Sequence, residues 1–187
     1  MKTYCLLLAG LTLGLLGVCS SAADTPEAIV QRQMATMRAG DWKGFTALMH
    51  DSALQEFRTS FTSLLEAVPE GEARTGILQG LFGGKAQSEV VALEPAAFFA
   101  TFMESLSNVN PMMKQGLSGA EGEVLGHVDE GPDKTHVVMR LKLTMGDINV
   151  TKMDVTSLKR DGDSWKTLLS GDIQTMVAGM MKAMKGK

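Results

Sequence analysis

From His136 to Met145 polar and apolar residues alternate, Val138 being the one exception. Val137, Met139, Leu141, Leu143 and Met145 fall on one side of an extended chain, and His136, Val138, Arg140, Lys142 and Thr144 on the other. A period of two is the mark of a strand with one buried face, and a helix does not produce it. The turns around this strand fix its connections. Glu130-Gly131-Pro132-Asp133 precedes it, Gly146-Asp147 follows it, and Asp161-Gly162 lies one strand further on. Four extended segments result, at about 122–129, 135–145, 148–160 and 164–171. Turns this short join antiparallel neighbours only, so the segment predicts an up-and-down meander.

The chain before this meander reads as helix. Thr25 caps a first helix, with Pro26 in its first turn, Glu27 just inside, and Ile29, Val30, Met34 and Met37 at helical spacing. Gly40 ends it and Asp41 caps the next, which carries Trp42, Phe45, Leu48 and Met49 on one face. Asp51 caps a third through Leu54, Phe57, Phe61, Leu64 and Leu65, closed by Pro69 and Gly71. Ile77, Leu78, Leu81 and Phe82 predict a short helix stopped by Gly83-Gly84. Glu94-Pro95 starts another with Phe98, Phe99, Phe102, Met103 and Leu106, and Met112 to Leu117 add one more turn after Asn110-Pro111. A last helix runs from Asp172, with Ile173, Met176, Val177, Met180, Met181 and Met184 along it. Helices gathered before a sheet predict an α+β fold, with N-terminal helices packed on a bent four-stranded antiparallel meander and a C-terminal helix.

The first residues carry an address rather than a fold. Lys2 followed by the leucine-rich run Tyr4–Val18 and the small residues Ser20-Ser21-Ala22-Ala23 predicts a signal peptide over 1–23 and a protein that works in the periplasm or is secreted. The run is shorter than the roughly 20 residues a span requires, and no later stretch is long enough to cross a membrane. Both cysteines, Cys5 and Cys19, lie in this leader, so a disulfide framework and cysteine nucleophiles are excluded from 24–187. Leu16-Gly17-Val18-Cys19 resembles a lipoprotein signal, which makes Cys19 a candidate lipidation site, although Val18 is bulkier than that pattern wants. All 21 acidic residues remain after the leader, against 17 of the 18 basic ones, and this excess gives no footing for nucleic acid.

The stretch Thr25–Met49, a helix, a Gly-Asp-Trp break and a second short helix, is followed at the other end by Leu158-Lys159-Arg160-Asp161-Gly162-Asp163-Ser164-Trp165-Lys166. This order is similar to the nuclear transport factor 2-like superfamily, with its ketosteroid isomerase-like and polyketide cyclase-like members. The resemblance implies a bent sheet wrapped around helices into a cone with an internal pocket. It makes 24–187 a single α+β domain, with the helical stretch at about 70–118 as an insertion over the pocket. Isomerases of that superfamily use a tyrosine in the oxyanion hole, and related dehydratases use tyrosines with a histidine. The sole tyrosine here, Tyr4, belongs to the leader.

The candidate ligand-binding residues are Trp42, Phe45, His136, Arg140, Asp154 and Trp165. Arg140 would hold a carboxylate or phosphate if its face lined a pocket, and would otherwise join Lys142 in a solvated charged stripe. His127 and His136 sit on neighbouring strands and are expected to face one another. With Asp154 they offer the elements of a metal site, without a metal motif's spacing. His50 is expected at a helix end near the negative pole of the dipole. The chain holds 14 methionines, which fill irregular cores and adapt to varied apolar ligands. Those of the tail invite copper(I) or membrane readings, but packing on the sheet is the simpler expectation. The reading is an exported domain that binds a small apolar ligand or a protein, without recognisable catalytic machinery or cofactor, and that forms a homodimer through its sheet. The alternative is a pocket enzyme (isomerase, dehydratase or hydrolase) built on acidic residues such as Asp154.

Overall fold

The computed structural model describes residues 24–146, 148–171, 173–175 and 178–179. The leader with Cys19, and Met176, Val177, Met180, Met181 and Met184 of the tail, lie outside the described residues. Among the described residues seven helices precede four strands. They are α1 (Pro26–Ala39), α2 (Trp42–Ala47), α3 (Asp51–Ala67), α4 (Glu72–Phe82), α5 (Gln87–Val91), α6 (Pro95–Val109) and α7 (Pro111–Ser118). The strands β1 (Glu121–Asp129), β2 (Lys134–Met145), β3 (Ile148–Asp161) and β4 (Ser164–Thr167) form one antiparallel sheet in the order β1-β2-β3-β4. Helical backbone resumes at 171, 173–175 and 178–179 as a short C-terminal helix, tied to α3 by Gln174 Nε2 donating to Glu56 Oε1 at 3.2 Å. The fold is α+β, as the sequence predicts.

The helix ends follow local chemistry. Thr25 Oγ1 accepts from the Ala28 amide at 3.2 Å, and Gly40 closes α1 with φ 68°, a left-handed conformation that suits glycine. Asp41 Oδ1 accepts from Gly44 and caps α2. α3 begins one residue earlier than its acidic residue suggested: His50 is the cap, its Nδ1 accepting from the Ser52 amide at 3.1 Å. The expectation for His50 is therefore corrected. It stands at the positive end of a dipole as an acceptor, because α2 stops at Ala47 and the next helix takes the first available side-chain acceptor.

Two separate cores result. All seven phenylalanines of the chain meet in one of them. Phe57, Phe61, Phe82, Phe98, Phe99 and Phe102 have no exposed surface, and half-buried Phe45 stacks on Phe99 at 5.9 Å. Phe57 alone lies within 4.7–6.1 Å of four other rings. This core belongs to α2, α3, α4 and α6, which pack on one another rather than on the sheet. The second core is smaller and mostly aliphatic: Ile29 and Val30 of α1 against Val137, Met139, Leu158 and Trp165. α1 is thus the helix that joins the helical layer to the strands, with α7 resting on β2.

Thr167 is where the layers are stitched together. Its amide donates to Leu48 O and its carbonyl accepts from His50 N, both at 2.9 Å, while its hydroxyl accepts from Gln33 Nε2 at 2.6 Å. The predicted fourth strand, 164–171, is corrected to Ser164–Thr167. Beyond it Leu168 and Leu169 pack against the phenylalanine core, and only the Leu168 amide still reaches β3, at Ser157 O.

β1 contains one residue too many. Val124 pairs with Met139 but Gly126 pairs with Val138, so Leu125 is extra and the strand bulges. Gly126 has φ 147° here, a value that residues with a Cβ rarely adopt. An unbroken register would place His127 opposite His136. The bulge moves His127 opposite Val137 instead, and the two histidines end on opposite faces of the sheet. The expectation that they face each other is therefore corrected, and with it the metal reading. Among the described residues no group of three or more His, Cys, Asp or Glu side chains is placed to hold an ion.

On the helix side His127 Nδ1 meets the Glu27 carboxylate and ties the start of α1 to β1. The hydrogen bond to Glu27 and then its charge raise the His127 pKa above the ordinary value near 6.5. The same bond from His127 lowers that of Glu27, against some desolvation. The histidine's contribution to stability is complete below its unfolded value and is lost as pH rises through its raised one. The glutamate's is present above its unfolded value, near 4.3, and is lost as pH falls through its lowered one. The tie is therefore strongest from about pH 4.3 to 6.5. An NMR titration of the His127 ring is expected to show a midpoint that drops in Glu27→Gln. Equal midpoints in the two proteins would refute the tie.

Candidate binding site

The six sequence-predicted site residues do not converge. Trp42 and Phe45 pack edge to face at 5.8 Å in the helical layer, where Trp42 also lines a cleft of about 250 Å³ with Arg38, Glu104, Asn108 and Lys114. Trp165 lies under the sheet with the Arg160 guanidinium 4.3 Å from its ring centre. Asp154 is on the same helix-facing side, opposite Met139, in an ion pair with Lys152 at 3.5 Å. His136 and Arg140 point the other way. His136 Nε2 lies 2.6 Å from Glu130 Oε2 and its Nδ1 2.9 Å from Ser157 Oγ, and Arg140 pairs with Glu123 at 2.5 Å. The solvated stripe, rather than an anion pocket, describes Arg140.

A different place gathers apolar groups that are open to solvent. Asn110 Oδ1 accepts from the Met113 amide at 3.0 Å and starts α7 directly against β2. A groove of about 320 Å³ lies between them, lined by Asn110, Met112, Met113, Gly116, Leu117 and Leu143. Gly116 contributes no side chain to fill it. Leu143 pairs with Val150, and Met145 with Ile148, so Leu143, Val150 and Ile148 occupy one face of the hairpin arm. Met112 is 59% exposed, Val109 58%, Ile148 57% and Val150 38%. Exposed apolar side chains scattered singly are ordinary, whereas a group around a groove marks a place for something else to pack.

Sequence reasoning missed this groove. It read Met112–Leu117 as one helical turn and Leu143 as part of a buried strand face. The available signal was the length of β2 and β3, which extend past the helices meant to cover them. The lining offers no acid, base or nucleophile, only the Asn110 amide already engaged as a cap. Two flexible thioethers facing leucines suit a ligand recognised by apolar contact alone.

No family model matches this chain, and no curated protein or solved structure is significantly similar to it.

Proposed function

We propose that this protein binds, without chemically changing it, an apolar small molecule or an apolar side chain of another protein in the groove between α7 and the β2–β3 arm. The observation that carries the reading is the methionine-lined, solvent-open groove with Met112, Ile148 and Val150 exposed around it. The signal-like segment 1–23 supports a reading in which this work is done outside the cytosol, in the periplasm or beyond. Intact mass of the protein recovered from its producing cell tests that placement, which fails if residues 1–23 are retained unmodified. The order of elements supports the nuclear transport factor 2-like reading in outline. In this chain, though, the binding surface lies outside the α1–sheet layer, whose interior Ile29, Val30, Val137, Met139, Leu158 and Trp165 fill.

The probe for the groove is the neutral fluorophore N-phenyl-1-naphthylamine. Saturable fluorescence enhancement is expected with the parent protein. Burying one large apolar side chain is worth about 1.5–3 kcal/mol, so a charge in the lining should weaken binding about tenfold or more. Met112→Glu and Leu143→Glu are expected to do this, while Arg38→Glu, in the other cleft, leaves it unchanged. Equal binding by all four proteins would remove the groove from consideration.

A further inference from the structure

Among the described residues the outer edge of β3 is unpaired for most of its length. β4 pairs only with Leu158–Asp161, and Leu168 N donates to Ser157 O at 2.8 Å just beyond. Among the described residues no strand or helix pairs with that edge from Val150 to Thr156. The direction of the unused groups follows from alternation. Ser157 turns its carbonyl to the β4 side, whereas Arg160 turns its amide to Asp133 on the β2 side. Thr151, Met153 and Val155 therefore direct their amides and carbonyls outward. Natural sheets blunt such edges with proline, bulges, very short strands or charged side chains, and of these devices the open stretch of β3 has only the charges of Lys152 and Asp154. β1, the other edge, has the Leu125 bulge, but β3 runs unbroken here and leaves Met153 56% and Val155 52% exposed.

We propose that a second copy of this chain closes this edge, β3 pairing antiparallel with β3 of its partner about a two-fold axis through Met153. The charges select the register. A two-fold axis normal to the sheet keeps each face on its own side, so it must pass through a residue rather than between two. An axis through Lys152 sets Lys152 against its own copy, and one through Asp154 sets carboxylate against carboxylate, both unfavourable across strands. An axis through Met153 sets Lys152 opposite the partner's Asp154 and Asp154 opposite the partner's Lys152. The ion pair already present at 3.5 Å then becomes part of a four-charge alternation on the helix side. On the other face Met153 meets its copy and Val155 meets Thr151. The paired stretch is Val150–Thr156 on each strand, and it ends where Leu168 already occupies Ser157.

This inference is independent of the groove. Sedimentation of the full chain, as its producing cell processes it, is expected to show a concentration-dependent dimer. Lys152→Asp and Asp154→Lys should each weaken it at least tenfold, and the double exchange Lys152→Asp/Asp154→Lys should restore it. Circular dichroism of each variant separates lost pairing from lost folding. Met153→Cys, in a chain with Cys5→Ser and Cys19→Ser, gives a second readout: mild oxidation should join two copies through that single site, since paired strands bring the two Cα atoms within disulfide reach. A protein that stays monomeric throughout the micromolar range would overturn the proposal. So would single charge reversals that leave the dimer intact, or a double exchange that fails to rescue folded single variants.

Discussion

Phe57→Ala is expected to cost about 3–5 kcal/mol of folding stability, the range for removing a large aromatic side chain from a core that does not collapse around the gap. Phe57 has no exposed surface and touches rings from α3 and α6, with centroids 4.7 Å from Phe99, 4.9 Å from Phe61 and 5.1 Å from Phe102. Its neighbours are themselves wedged between helices, so little relaxation is available to refill the space. Total stability of a domain is about 5–15 kcal/mol, so this one change removes a large share of it. Urea unfolding followed by circular dichroism measures the loss as a lower midpoint. Val128→Ala, at a side chain 61% exposed on the open face, provides the contrast, with less than about 1 kcal/mol expected. Comparable losses at the two positions would mean that the phenylalanine cluster is not the main core.

The contrast between these positions also shows what the sequence could tell. The spacing of Phe57, Phe61, Phe98 and Phe102 declares two helices with apolar faces, and the alternation from His136 to Met145 declares a strand with one buried side. Both are local patterns, and the structure has both. α5 was not legible, because Gln87–Val91 has little apolar periodicity; its start is fixed by Glu89 Oε2 accepting from the Ala86 amide at 2.8 Å. Trp42 and Trp165 were singled out for their chemistry, but they serve two different cores, and residue type alone does not reveal which layer a tryptophan joins. The groove was illegible for a related reason. It exists only because α7 settles beside Leu143, a contact between residues far apart in the chain.

The bulge in β1 was half legible, because an isolated glycine inside a strand pattern is a known sign of one, and its removal makes the second large prediction. Gly126→Val is expected to destabilise the fold by about 1–3 kcal/mol, the cost of holding a residue with a Cβ in a sparsely populated backbone region. The open space around Gly126 means that the penalty comes from the backbone and not from a clash, since no atom lies within 4 Å of a Cβ built there. The strand has one escape, which is to drop the bulge and slide. His127 would then sit opposite His136 on the open face and lose Glu27. Either response should lower the urea midpoint, and the slide should also lower the His127 titration midpoint. Deleting Leu125 tests the cause. Without it, Val124 still meets Met139 and Gly126 still meets Val138, but in a regular ladder where valine is at home. Gly126→Val should therefore cost little or nothing in the chain lacking Leu125. An equal penalty with and without Leu125 would show that the glycine is needed for some reason other than the bulge.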